Sequence, residues 1–241
     1  MKRRNVLAAI LAIVTALIFA RLGVLQLQRL AERRARNAAL ASRLHTPALP
    51  LAQLPADSAG AHWRRALVTG EYDFDHQIVL SGRTHDGAPG VQIITPLHPD
   101  DGGPAVLVNR GWIYSPDAAT ADLGKWDEPP HATVSGYVED FVHGGRGAVR
   151  LPSHPNAWTR LDADELRNAF PFAIAPYYVV ALDTLAEYRA AHELPTVTPV
   201  RLTLPAMDDG PHLNYAIQWF TFAAVALIGV GTLIAQDIKR G

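Results

Sequence analysis

Both ends of the chain are apolar runs long enough to cross a bilayer, and this constrains the fold more than any other feature. Val6–Ala20 contains nothing more polar than Thr15 and continues through Arg21 into Leu22–Leu27; Tyr215–Ala235 runs 21 residues without a charge. A hydrocarbon core ~30 Å thick needs ~20 helical residues. The second run meets this directly. The first reaches Leu25 if Arg21 snorkels towards the headgroups. A cleaved signal peptide is the alternative for the first run, but its cleavage site needs small residues, which Ile18 and Ala20 fit poorly. A transit peptide fits worse, because no Ser-rich amphipathic stretch precedes the apolar core.

Charge is partitioned along the chain. Residues 1–43 carry nine Lys and Arg against one Glu; residues 44–210 carry eleven against 21 acids. An acidic middle argues against nucleic acid as a partner, since phosphate binding needs clustered cations. Zero cysteines exclude disulfides, Fe–S clusters, thiol redox chemistry and a cysteine nucleophile. Lys239 and Arg240 follow the second run, and Lys2-Arg3-Arg4 precede the first, so the positive-inside rule places both termini in the cytoplasm and the domain between them outside. Arg29, Arg33, Arg34 and Arg36 oppose this, because they then lie outside.

The expected organisation is a cytoplasmic N-terminus and first transmembrane helix (1–27), a helical extension (28–46) stopped by Pro47 and Pro50, an external domain (47–209), a second transmembrane helix with its approach (210–235), and a cytoplasmic tail (236–241). The domain has seven strand candidates: Trp63–Tyr72, Gln77–Arg83, Val91–Pro96, Ala105–Tyr114, Thr133–Val142, Tyr177–Leu182 and Val197–Leu204. Asp86-Gly87, Asp100–Gly103 and His143-Gly144-Gly145 are turns. Asp162 with Glu165 reads as a helix cap, and Asp183 as the cap of Thr184–His192. The fold class is therefore a membrane protein: two transmembrane α-helices flanking an external α+β domain dominated by an antiparallel sheet or small open barrel. Ala8, Ala12, Ala16 and Ala20 form a stripe of small residues expected to pack on the second helix, with Leu7, Leu11, Val14 and Ile18 facing lipid.

Enzyme chemistry finds little support. The ten histidines are scattered, without the i,i+4 spacing of a helical zinc site. Ser81, Ser115, Ser135 and Ser153 lack a nucleophile-elbow setting. Gly144–Gly147 lacks the flanks of a phosphate-binding loop. The segment from Gly210 to Phe220 is more unusual. On a helix, His212, Tyr215, Trp219, Phe222 and Ala226 fall near one face with Gln218 beside it. Interfacial anchoring accounts for Tyr215 and Trp219; Gln218 lies about a turn inside the apolar run, where a polar side chain usually faces protein or ligand. Asn109-Arg110-Gly111-Trp112 ends the apolar Ala105–Val108 and reads as a hairpin corner, with Arg110 pairing a carboxylate such as Glu71 and Trp112 filling the core.

Four segments in order resemble the surfeit-locus-1 family of membrane proteins. Gly23, Gln26 and Arg29 match its Gly-x-Trp-Gln-x-x-Arg motif, with Leu25 in place of Trp. Gly70-Glu71-Tyr72-Asp73 resembles its strand motif. Gly90-Val91, Thr95-Pro96 and Leu107–Ile113, which includes Asn109, Arg110, Gly111 and Trp112, resemble its central signature. His212–Tyr215 with Trp219-Phe220 resembles the start of its second helix. The resemblance implies a bacterial inner-membrane assembly factor, not an enzyme, for a haem-copper cytochrome oxidase, working with oxidase subunit I and haem-synthesis proteins. It implies passage of haem a, with His212 as the iron ligand and Tyr215, Gln218 and Trp219 around the macrocycle. A membrane-anchored envelope hydrolase, or a scaffold without cofactor, are the competing readings.

Overall fold

The computed structural model describes residues 3–184, 199–205 and 207–239. It divides into two units, Met1–Ala41 with Ala206–Gly241, and Ser42–Pro205.

The first unit is a helix pair. Helix α1 (Arg3–Leu44) is continuous across 42 residues and ends three residues before Pro47. Helix α4 (His212–Lys239) follows Gly210, whose φ of +67° suits glycine, and Pro211. Both are long and apolar enough to cross a membrane. Their contact seam repeats every seven residues. Ala9, Ala16, Gly23 and Leu30 are buried on α1; Ala216, Ala223 and Val230 are buried on α4. Ala12, Phe19, Gln26 and Arg33 fill the half-buried positions between, as do Trp219 and Ala226 opposite. Small residues at the buried positions let two helices approach closely where lipid supplies no hydrophobic force.

This corrects the expected stripe. Ala12, Ala16 and Ala20 are wholly or partly covered, but Ala8 is exposed and Ala9 takes its place. Steps of four residues drift by roughly 40° each on a 3.6-residue helix, so a four-residue stripe rotates out of contact, whereas alternating steps of four and three stay in it. Leu7, Leu11, Val14 and Ile18 are exposed, as expected.

Polar contacts fasten both ends of the pair. Asn5 Nδ2 donates to Asp237 Oδ1 at 3.0 Å. Arg33 Nε and Asn37 Nδ2 donate to the Asp208 carbonyl at 2.8 and 2.9 Å, and Arg34 Nε donates to Asp209 Oδ2 at 2.8 Å. That bond holds the Asp209 carboxyl below the usual carboxylate range. Two of the cations that oppose the outside placement are thus matched by the two acids preceding α4.

The second unit is a mixed sheet with a closed ring at its centre. Its elements are β1 (Leu49–Pro50), the helical turn α2 (Ser58–Ala61), β2 (Arg65–Tyr72), β3 (Ile78–His85), β4 (Ala88–Pro99), β5 (Ala105–Tyr114), β6 (His131–Asp140), β7 (Arg150–Leu151), β8 (His154–Trp158), α3 (Ala163–Arg167) and β9 (Ile174–Ala181). The strand order is β1-β2-β6-β9-β5-β4-β3-β8-β7, and β2 also pairs β4, closing β2-β6-β9-β5-β4 into a small five-stranded barrel. Val68, Leu97, Val106, Val108, Val134, Val138 and Val179 belong to one core cluster. A second cluster, with Leu107, Trp158, Leu161 and Leu166, seats α3. Asp162 caps α3 by accepting the Asp164 and Glu165 amides. Asp86 and Gly87, both at positive φ, make the β3–β4 turn.

Antiparallel pairs predominate, but β1–β2, β3–β8 and β5–β9 are parallel. Of the seven strand candidates, six correspond to β2, β3, β4, β5, β6 and β9. Val197–Leu204 falls partly outside the described residues; within them it contributes a single bridge, Val200 to Trp112. The Asp183-capped helix also lies mostly outside them.

Candidate functional site

Where the helix pair carries its polar head, His212 Nδ1 lies 2.9 Å from Gln26 Oε1. An amide oxygen only accepts, so Nδ1 carries the proton and donates. Nε2 takes no hydrogen bond among the described residues. Further along the same seam, Phe19 packs on Trp219 at 5.6 Å and on Phe222 at 5.7 Å between ring centroids. Gly23 keeps this stretch tight: a Cβ there would stand 2.8 Å from the Phe220 ring. The arrangement joins an imidazole whose Nε2 takes no hydrogen bond among the described residues to an aromatic wall. A neutral imidazole of this kind is a common axial ligand to haem iron. Of the other expected residues, Trp219 belongs to the seam, while Tyr215 and Gln218 are exposed on other faces of α4, because the seam follows His212, Ala216, Trp219 and Ala223.

The second concentration of polar chemistry is in the domain. Ile93 pairs Gly111 and Ile94 pairs Asn109, which leaves Arg110 as the extra residue of a β-bulge. Gly111 holds φ +121°, and its amide donates to Asn109 Oδ1 at 3.1 Å. The bulge turns Arg110 inward, where its side chain is 0% exposed. Its Nη1 donates to Gln77 Oε1 at 2.9 Å and Thr95 Oγ1 at 3.3 Å; Nε and Nη2 reach Glu128 Oε1 at 3.3 Å, and Nη2 also donates to the Trp126 carbonyl. The Tyr72 and Phe74 rings lie 5.4 and 5.3 Å from the guanidinium carbon. Glu128 is shared, accepting both oxygens' worth of bonds from Arg201 Nη2 at 2.7 Å each, and Arg201 Nη1 donates to the Arg110 carbonyl. Burial pushes the Tyr72 phenol up to about 12, a sign of how dry this centre is.

Two expectations are corrected here. Asn109–Trp112 is the middle of β5, not a hairpin corner, and its partner is Glu128, not Glu71, which is exposed on the barrel wall. Trp112 is buried as expected, over Gly90, where a Cβ would meet its Nε1 at 2.3 Å. With every donor of Arg110 engaged inside the protein, the centre is a fastening of the fold and offers no free group to a ligand.

The model of the SURF1 family matches residues 13–224. The chain belongs to the SURF1 family. Relatives include a SURF1-like protein of Monosiga brevicollis, 29% identical over 229 residues (86% of this chain, 79% of that one). An uncharacterised SURF1-like protein of Mycobacterium bovis is 27% identical over 240 residues (97% and 84%), and a SURF1-like protein of Rickettsia bellii 25% identical over 221 residues (90% and 86%).

In this SURF1-family chain, Gly23 and Gln26 sit on the helix seam and Arg29 is exposed beside it. Gly70 stands at the barrel's closing pair. Phe19, Glu128 and Arg201 were not singled out from sequence. Phe19 was legible in the seven-residue repeat that contains it; Glu128 lies in a loop between the helical turn Leu123–Trp126 and Pro129-Pro130 and carries no local signal. Three of the four serines of the hydrolase reading are otherwise engaged: Ser81 donates to the Trp158 carbonyl, Ser115 to Asp117 and the Thr120 carbonyl, and Ser135 accepts from Arg65; Ser153 lines a surface pocket beside His154. Among the described residues no cluster of three His or acidic side chains could hold a metal ion.

Proposed function

We propose that this chain is an assembly factor for a haem-copper terminal oxidase that receives haem a and passes it towards subunit I. The observation that carries the haem part is His212, held by Gln26 through Nδ1 with Nε2 taking no hydrogen bond among the described residues, next to the Phe19–Trp219 contact. Family membership supports the oxidase part. His212 would ligate the iron, and Trp219 with Phe19 would pack the ring; the redox chemistry of the haem itself serves the oxidase. His212→Ala tests this. The Gln26 bond is the one hydrogen bond that His212 makes among the described residues, so the variant should insert and accumulate normally while its haem a occupancy after co-purification falls at least several-fold. An unchanged haem absorption spectrum would remove His212 from the site.

The reading places the chain in the bacterial inner membrane, with the domain in the periplasm and both termini cytoplasmic. Lys2, Arg3 and Arg4 before the first apolar run and Lys239 and Arg240 after the second support it. Alkaline phosphatase fused after Pro155 should be active and after Gly241 inactive; the reverse pattern would invert the topology.

A further inference from the structure

We propose that Gln26 is a positioning residue that sets the tautomer of His212, so that Nε2 and not Nδ1 is the ligating atom. The proposal rests on the haem reading above and adds a residue from the opposite helix to it. A neutral imidazole carries one proton on either ring nitrogen, and only the bare nitrogen has a lone pair for iron. Free histidine prefers the proton on Nε2, which would aim the wrong nitrogen outward. The 2.9 Å contact from Nδ1 to Gln26 Oε1 reverses that preference, because the amide oxygen has no proton to give. The same bond fixes the ring's rotation, the role usually filled by a carboxylate or backbone carbonyl behind a metal-bound histidine. A backbone carbonyl is not on offer here, because α1 is unbroken through residue 26 and its carbonyls serve the helix. The bond is made possible by close approach: Ala216, one turn after His212, is 1% exposed, and Gly23, one turn before Gln26, admits Phe220 against α1.

The test uses the purified full chain in detergent. With histidine ring nitrogens labelled with ¹⁵N and no haem present, the His212 signals, identified by their loss in His212→Ala, should show the Nδ1–H tautomer. In Gln26→Leu they should change to Nε2–H. Titrated with haem a, Gln26→Leu should bind about 10-fold more weakly or worse, in line with the loss of other such supporting bonds. Gln26→Glu, which keeps a carbonyl-type acceptor, should restore both tautomer and affinity. Wild-type protein in the Nε2–H form, or a Gln26→Leu variant that matches wild type in tautomer and affinity, would overturn the proposal. Failure of the haem reading looks different: His212→Ala would then bind haem a as wild type does, whatever the tautomer.

Discussion

Arg110→Ala should lower the unfolding midpoint of the purified chain, followed by near-ultraviolet circular dichroism, by about 10 °C or more. Removing one member of a buried ion pair costs ~3–5 kcal/mol, because the partner stays behind in a poorly solvated site, and each kcal/mol is worth ~2–4 °C in a domain of this size. Here the loss goes further than the pair. Gln77 and Thr95, both buried, lose the donor they share, and the Trp126 carbonyl loses its own. Tyr72 and Phe74 are left facing a cavity. Arg110→Lys should recover only part of the loss, since one ammonium cannot reproduce five donors in a planar fork. Glu128→Gln should cost a similar amount, and the double variant less than the sum of the two, because the residues act as one network. A shift under 2 °C for Arg110→Ala would mean that the bulge and its network do not hold the fold together.

Gly70→Val should open the barrel. A Cβ at residue 70 would lie 2.1 Å from the His98 carbonyl oxygen and 2.7 Å from Leu97 Cδ2. The first of these atoms is backbone in the strand that Gly70 pairs with, so it has nowhere to move without breaking the ladder. That ladder is short: Gly70, Glu71 and Tyr72 against Pro99, His98 and Leu97 are the whole β2–β4 closure. Ordinary overpacking costs ~1–3 kcal/mol; a backbone clash at a three-pair closure belongs at or above the top of that range. Limited proteolysis should cut near residues 97–103 in the variant and spare them in the wild type, and a hydrophobic dye should bind the exposed Val68–Leu97–Val106 cluster. Gly124→Ala, where an added Cβ meets nothing within 4 Å, is the matched control. Equal protease resistance in Gly70→Val and Gly124→Ala would show that β2 and β4 part without consequence.

Much of this fold was legible because the signals are local. The two terminal runs announce α1 and α4 by length and hydropathy alone, and Asp86-Gly87 and Asp100–Gly103 punctuate the β3–β4–β5 meander. One strand candidate matches β5 to the residue, its apolar ends Ala105–Val108 and Trp112–Tyr114 flanking the polar Asn109-Arg110-Gly111. The β7–β8 ribbon escaped notice. Its two strands are 2 and 5 residues long and include Pro155, and β8 buries only its last two residues, so there was no periodicity to read. Parallel pairings escaped for a different reason: β5 meets β9 across more than sixty residues of chain, and nothing in either strand encodes its neighbour. The site divides the same way. His212 and Trp219 were visible as polar and aromatic residues at a membrane approach. Their seam was misjudged because the expected face (His212, Tyr215, Trp219, Phe222, Ala226) and the observed one (His212, Ala216, Trp219, Ala223, Ala226) share the same seven-residue repeat and differ only in the position taken between shared members, which leaves Tyr215 and Gln218 off it. Arg110 was recognisable as a motif, but its bulge depends on the register of two strands at once.

The position of β9 also sets a timetable. It is the last strand among the described residues, yet it sits between β6 and β5 in the ring, antiparallel to β6 and parallel to β5. During synthesis the earlier strands can form their meander as they emerge, but the ring stays split, with the inner edges of β5 and β6 bare, until Ala181 has been delivered. The second membrane segment begins only 31 residues later, at His212. Completion of the domain's fold is therefore compressed into nearly the same interval as synthesis of α4. Substitutions in β9 that slow its docking should act on yield, through quality control of half-made rings, more than on the behaviour of molecules that finish.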